Sequence, residues 1–105
     1  MMTQPHTLKM PLVFTSEVNM TVADDTEFAK FVLKSIQRFF ANDWGECCEN
    51  DKKQNDIDNE NLKKGDYGRV LASYINPTNV FKNPLDRVWI VKDSQTITVL
   101  FPHEY

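Results

Sequence analysis

The sequence predicts an α+β domain: an N-terminal strand, two helices, then a three-stranded antiparallel meander, with the helices packed on one face of the sheet. Three observations carry that expectation. Phe28, Phe31, Val32, Ile36, Phe39 and Phe40 recur at helical spacing through Ala41. The last third of the chain alternates instead, in the runs RVLASYI, VWIVK and QTITVLF. A length of 105 residues with 41% hydrophobic content suits one ordinary domain. No repeat, low-complexity tract or Gly/Ser linker divides the chain, so residues 1–10 are expected to be a loose tail and residues 11–105 a single domain.

The elements follow in order. LVFTSEVNMTV, residues 12–22, is rich in β-branched residues and alternates at Val18, Met20 and Val22, which predicts a strand or a bent pair of short strands. Asp24 with Glu27 three residues later gives a capping-box start for the first helix. Asn42 suits its end, and Asp43 with Glu46 repeats the capping pattern for a second helix beginning at Trp44. On this reading Asp43, Trp44 and Gly45 are a structural corner, the indole packing back on Phe39 or Phe40 to fix the angle between helices. Residues 49–62 are acidic and amide-rich, a solvated helical face from which Ile57 and Leu62 touch the core.

Lys63, Lys64 and Gly65 form a basic helix end and stop, with Asp66 to Gly68 completing the turn. Residues 69–75 then place Val70, Ala72 and Tyr74 on one face and Leu71, Ser73 and Ile75 on the other. Two Asn-Pro steps make residues 76–86 a loop. Residues 88–92 and 95–101 pair as a hairpin across Asp93 and Ser94, and Pro102 ends the last strand.

Reactive chemistry finds little support. Cys47 and Cys48 are neighbours, so a bridge between them would strain the intervening peptide. Glu46, Glu49 and Asp51 around them favour the protonated thiol. The adjacent cysteines lack C-x2-C spacing, and the only histidines, His6 and His103, lie at opposite ends of the chain, so no metal is expected. Residues 49–62 have no glycine at the sharp turn an EF-hand loop needs. No P-loop, dinucleotide fingerprint or G-x-S-x-G occurs, so neither a cofactor nor a catalytic residue is expected. A net charge of −3 and a pI of about 5.3 oppose broad nucleic-acid binding. Without a signal-like start or a membrane-length apolar run, the expected location is the cytoplasm.

Several pieces resemble a group of short bacterial proteins carried on plasmids and other mobile elements. They are the helix leading into D-W-G at residues 43–45, the Asp51 and Asn55 pair, VWIV at 88–91 and the ending TVLFPHEY. Members have no assigned chemistry, though some carry restriction or antirestriction labels. Phe39 stands where the group has histidine and Asn42 where it has glycine, departures that argue against a histidine-based site at the corner. The order of elements also resembles RelE/ParE-type toxins, whose late His and Tyr match His103 and Tyr105. That resemblance implies a ribonuclease whose phosphate-binding and proton-transfer groups would come from Arg69, Lys82, Arg87, Lys92, His103 and Tyr105.

The expected function is a small non-enzymatic binding protein of a bacterial mobile element that inhibits a defence nuclease of restriction or CRISPR type. Glu46, Glu49, Asp51, Asp56, Asp58 and Glu60 would face a basic nucleic-acid channel of that protein partner, with Tyr67, Phe81 and Tyr105 as aromatic anchors. A toxin-like ribonuclease and a homodimeric structural or regulatory subunit are the alternatives.

Overall fold

The structure is a computed structural model that describes residues 10–76 and 85–105. Strand β1 (Leu12–Phe14) leads into helices α1 (Ser16–Asp24), α2 (Thr26–Phe40) and α3 (Glu49–Lys63). Strands β2 (Val70–Ile75), β3 (Arg87–Lys92) and β4 (Ile97–Leu100) follow, and a 3₁₀ turn spans Pro102–Glu104. The fold is α+β. The expected meander of β2, β3 and β4 is present, but it is not the whole sheet. β1 adds a fourth strand parallel to β4, giving the order β1-β4-β3-β2. A parallel neighbour is open to β1 because the whole length of the chain's helices separates it from β4.

Residues 16–24 are helical, not extended as their alternation suggested. The Thr15 hydroxyl oxygen accepts from the Val18 amide at 3.3 Å, a cap that starts a helix one residue after β1. Val18 and Val22, two steps of an alternating pattern, are also four residues apart, so both fit one helix face. Val18 is fully buried, whereas Met20 between them points to solvent. The next helix is capped by Asp25 rather than Asp24, its carboxylate accepting from the Phe28 amide at 3.0 Å. α2 then buries Phe28, Val32, Ser35 and Phe39. It ends at Asn42, which adopts φ 63°, a left-handed value that asparagine tolerates.

The corner departs from expectation in one respect. Residues 43–48 are not the first turn of α3, which starts at Glu49 with Cys48 at its N-cap position. Asp43 accepts instead from the Gly45 amide at 3.0 Å, and Gly45 takes φ 78°, so the chain turns away from helical geometry. It runs along the outer edge of β2 as an isolated parallel bridge between Gly45 and Ser73. The expected packing of the indole does occur, with Trp44 edge-on to Phe39 at 5.3 Å.

That bridge belongs to a continuous seal. Edge strands present unpaired amides and carbonyls that invite further strands. Here Ser73 donates to the Trp44 carbonyl at 3.1 Å and accepts from the Glu46 amide at 2.7 Å. Two residues earlier, the Asn55 side-chain amide donates to the Leu71 carbonyl at 2.9 Å and accepts from the Leu71 amide at 3.3 Å. Two residues later, the Ile75 amide donates to the Glu46 carboxylate at 2.8 Å.

The core lies between α1, α2 and one sheet face, joining Val18, Phe28, Val32, Phe39 and Trp44 to Val70, Ala72, Tyr74, Val88, Ile90, Ile97, Val99 and Phe101. α3 stands at the β2 edge. Leu62 packs against the core as expected, but Ile57 does not and is exposed; the inner face of α3 is Asn55 and Asn59. A β-carbon on Gly45 would fall 2.0 Å from the Ser73 carbonyl oxygen, while one on Gly65, at φ 84°, would meet nothing within 4 Å. Gly45→Ala is therefore expected to cost at least about 3 kcal/mol, and Gly65→Ala about 1 kcal/mol from backbone strain alone. Asn55→Ala, which leaves the Leu71 amide unpaired and its carbonyl with the long Cys47 contact, is expected to cost about 2 kcal/mol. Urea unfolding of the three variants checks this ranking.

Candidate protein-binding surface

The corner is built from charge and aromatic contacts around Asp43. Arg38 donates to its two carboxylate oxygens at 2.7 and 3.2 Å, and this pairing holds the Asp43 carboxyl below the usual range and the Arg38 guanidinium above its own. Arg38 also lies over the Tyr74 ring at 5.0 Å, and the Tyr74 hydroxyl donates to the Asp43 carbonyl at 2.6 Å. Burial pushes the Tyr74 phenol far above its ordinary range. Cys47 donates to the carbonyls of Trp44 at 3.3 Å and Leu71 at 3.7 Å, and its thiol is pushed up by burial, away from the reactive thiolate. Cys48 is exposed.

Two further contacts position α3. The Trp44 indole nitrogen donates to Asp56 at 2.9 Å. Asn59 donates to the Asn42 side chain at 3.3 Å and accepts from Lys92 at 2.8 Å. Burial, with the nearby Lys63 charge second, lowers the Lys92 pKa. These asparagines escape a search for apolar periodicity; the signal available in the sequence was an amide pair four residues apart, followed by Leu62 on the same face.

So positioned, α3 carries its carboxylates on two flanks. At about 100° per residue, Glu49, Asp56 and Glu60 share one side of the inner face, and Asp51 and Asp58 the other. Ile57 lies between them on the outward side. Several of these acids are already engaged: Glu49 pairs with Lys52 at 3.7 Å, Glu60 with Lys63 at 3.2 Å, and Asp58 accepts from Gln54 at 3.0 Å. Glu46 lies off the helix, on the Ile75 amide and 3.9 Å from Arg38. Tyr67 is 93% exposed among the described residues. Tyr105 is half exposed, edge-on to Trp89 at 5.3 Å and under the Arg69 guanidinium at 4.9 Å. Phe81 lies outside the described residues.

The described members of the cationic set implied by the toxin resemblance each have contacts of their own. Arg69 and Tyr105 touch, but Arg87 lies beside Asp86 at 3.8 Å and Lys92 is held by Asn59. His103 contacts the Glu17 carboxylate at 3.0 Å and stacks on Phe101. Lys82 lies outside the described residues. Among the described residues no group of three or more His, Cys, Asp or Glu is placed to hold a metal ion, and no helix is long and apolar enough to cross a membrane. No family model, curated protein or solved structure matches this chain.

The Tyr74 phenol has a pH consequence. Its folded pKa lies above the ordinary 10.0, so its contribution to stability is full below pH 10 and is lost as the unfolded phenol ionises above that value. In an alkaline titration followed by phenolate absorbance, Tyr74 is expected to ionise only as the chain unfolds. Tyr74→Phe should remove that unfolding-coupled absorbance step.

Proposed function

We propose that this chain is a small non-enzymatic inhibitor from a bacterial mobile element, binding the nucleic-acid channel of a defence nuclease through α3. The observation that carries the reading is the use to which α3 is put. A helix of this length normally buries an apolar stripe, yet here the buried residues are Asn55 and Asn59, which hold it by hydrogen bonds to the sheet and to the end of α2. Polar contacts thus place the helix against the sheet while its flanks display carboxylates. Acids displayed along one helix have the sign to compete with phosphates for a channel lined by lysine and arginine. Tyr67, fully presented beyond the end of α3, supplies an aromatic anchor of the kind that dominates interface energies. His103 and Cys47 are each engaged with groups of their own chain, the Glu17 carboxylate and the Trp44 carbonyl.

Tagged protein incubated with a nuclease-treated bacterial lysate is expected to retain one stoichiometric nucleic-acid-binding protein at low salt and to release it at high salt. Reversing Glu49, Asp58 and Glu60 together to lysine, which spares the Asp56 contact to Trp44, should weaken that capture at least about 100-fold, whereas His103→Ala should leave it unchanged. Recovery of ribosomes would instead favour the toxin-like reading, and retention by the reversed variant would exclude the charge-based mechanism.

A further inference from the structure

A cleft separate from the Glu49, Asp56 and Glu60 flank opens where the first turns of α3 meet the sheet. It encloses about 270 Å³, with Leu71 and the half-buried Cys47 as its floor and Asp51, Gln54, Arg69 and Tyr105 as its walls. That volume suits a small metabolite rather than a drug-sized ligand. Its walls carry one charge of each sign, and the two do not meet: among the described residues neither Asp51 nor Arg69 takes part in an ion pair. Both are nevertheless positioned. Asp51 projects from the first turn of α3, which Asn55 ties to Leu71. Arg69 rests one face on the Tyr105 ring at 4.9 Å, and that ring is braced edge-on by Trp89 at 5.3 Å; the Arg69 charge also acts on Asp93, with which it lines a neighbouring cleft, but the two form no direct ion pair.

The pairing selects its ligand by charge. A simple anion would meet Arg69 but also Asp51, and a simple cation would meet Asp51 but also Arg69. A molecule bearing both an ammonium and a carboxylate satisfies both at once. Asn55 and Cys47 have already committed their polar atoms to backbone groups, so the remaining floor is the Leu71 side chain, which fits an apolar substituent. We propose that this cleft binds a free α-amino acid with an apolar side chain, its ammonium on the Asp51 carboxylate, its carboxylate on the Arg69 guanidinium and its side chain over Leu71 and Tyr105. Both charged groups are open to solvent, so the dissociation constant is expected on the order of 1 mM.

The test is a titration of the isotopically labelled full chain with L-leucine, N-acetyl-leucine and leucinamide, followed by amide NMR. Leucine should give saturable shifts at Asp51, Gln54, Arg69 and Leu71, and each blocked compound should bind at least about tenfold more weakly, since each lacks one charge. Asp51→Asn and Arg69→Gln should each abolish saturation while keeping a dispersed spectrum, both side chains being on the surface. Absence of saturation by about 20 mM leucine, equal binding of a blocked compound, or shifts confined to other residues would overturn the proposal. Because Asp51 is outside the charge-reversed set used to test partner capture, the two readings fail separately.

Discussion

A sheet ends where its last strand finds nothing more to bond with, and in this protein the treatment of the β2 edge organises everything around it. The backbone groups of Leu71, Ser73 and Ile75 that point away from β3 are met by Asn55, by the Trp44 and Glu46 backbone and by the Glu46 carboxylate. An edge closed in this way cannot be satisfied by apolar packing; it demands polar atoms at fixed positions. That demand explains why the connection between α2 and α3 is not simply a turn between helices. Gly45 must approach the Ser73 carbonyl more closely than any side chain permits, and Asp43 must bend the chain to bring it there.

The same constraint accounts for the unusual composition of α3. Its inner face is polar because what it covers is polar, and Asn55 presents a peptide-like amide to the strand as a neighbouring strand would. Asn59 extends the logic by bridging Asn42 at the end of α2 to Lys92 at the end of β3. Trp44 closes the arrangement from the other side, its ring in the core against Phe39 and its N–H on Asp56. Charged and amide side chains therefore set the position of this helix, whereas α1 and α2 are placed by Val18, Phe28, Val32 and Phe39 in the core.

How much of this was legible in the sequence depended on whether the signal was local and apolar. α2 and the three meander strands were, because Phe28, Val32 and Phe39, and later Val70, Ala72 and Tyr74, repeat at periods that belong to one kind of element. α1 was not, because Val18 and Val22 fit both periods and the deciding contact is a single hydroxyl on Thr15. The Asp24 reading missed by one residue for a related reason: adjacent aspartates offer the same chemistry, and only the backbone angle at Asp25 selects between them. At the corner, Asp43 and Glu46 match a helix start in spacing, yet their carboxylates serve Gly45 and Ile75 instead. The second partner is 29 residues away, beyond any pattern of near neighbours. For the acidic residues the sequence located the helix but not the division of its carboxylates between two flanks, which follows from which face the asparagines turn inward.

α3 has no side-chain hydrogen bond at its N-cap and little apolar surface to hold it down, so its adhesion rests on a few amide contacts to the sheet. Its buried residues are Asn55 and Asn59 rather than apolar side chains, and a segment held by few apolar contacts opens more readily than the body it covers. Opening would remove the Asn55 contacts at Leu71 and bare part of an otherwise sealed strand edge. How well the β2 edge stays covered is thus tied to how tightly one polar helix stays closed, and a ligand or partner that clamps α3 would hold that edge shut.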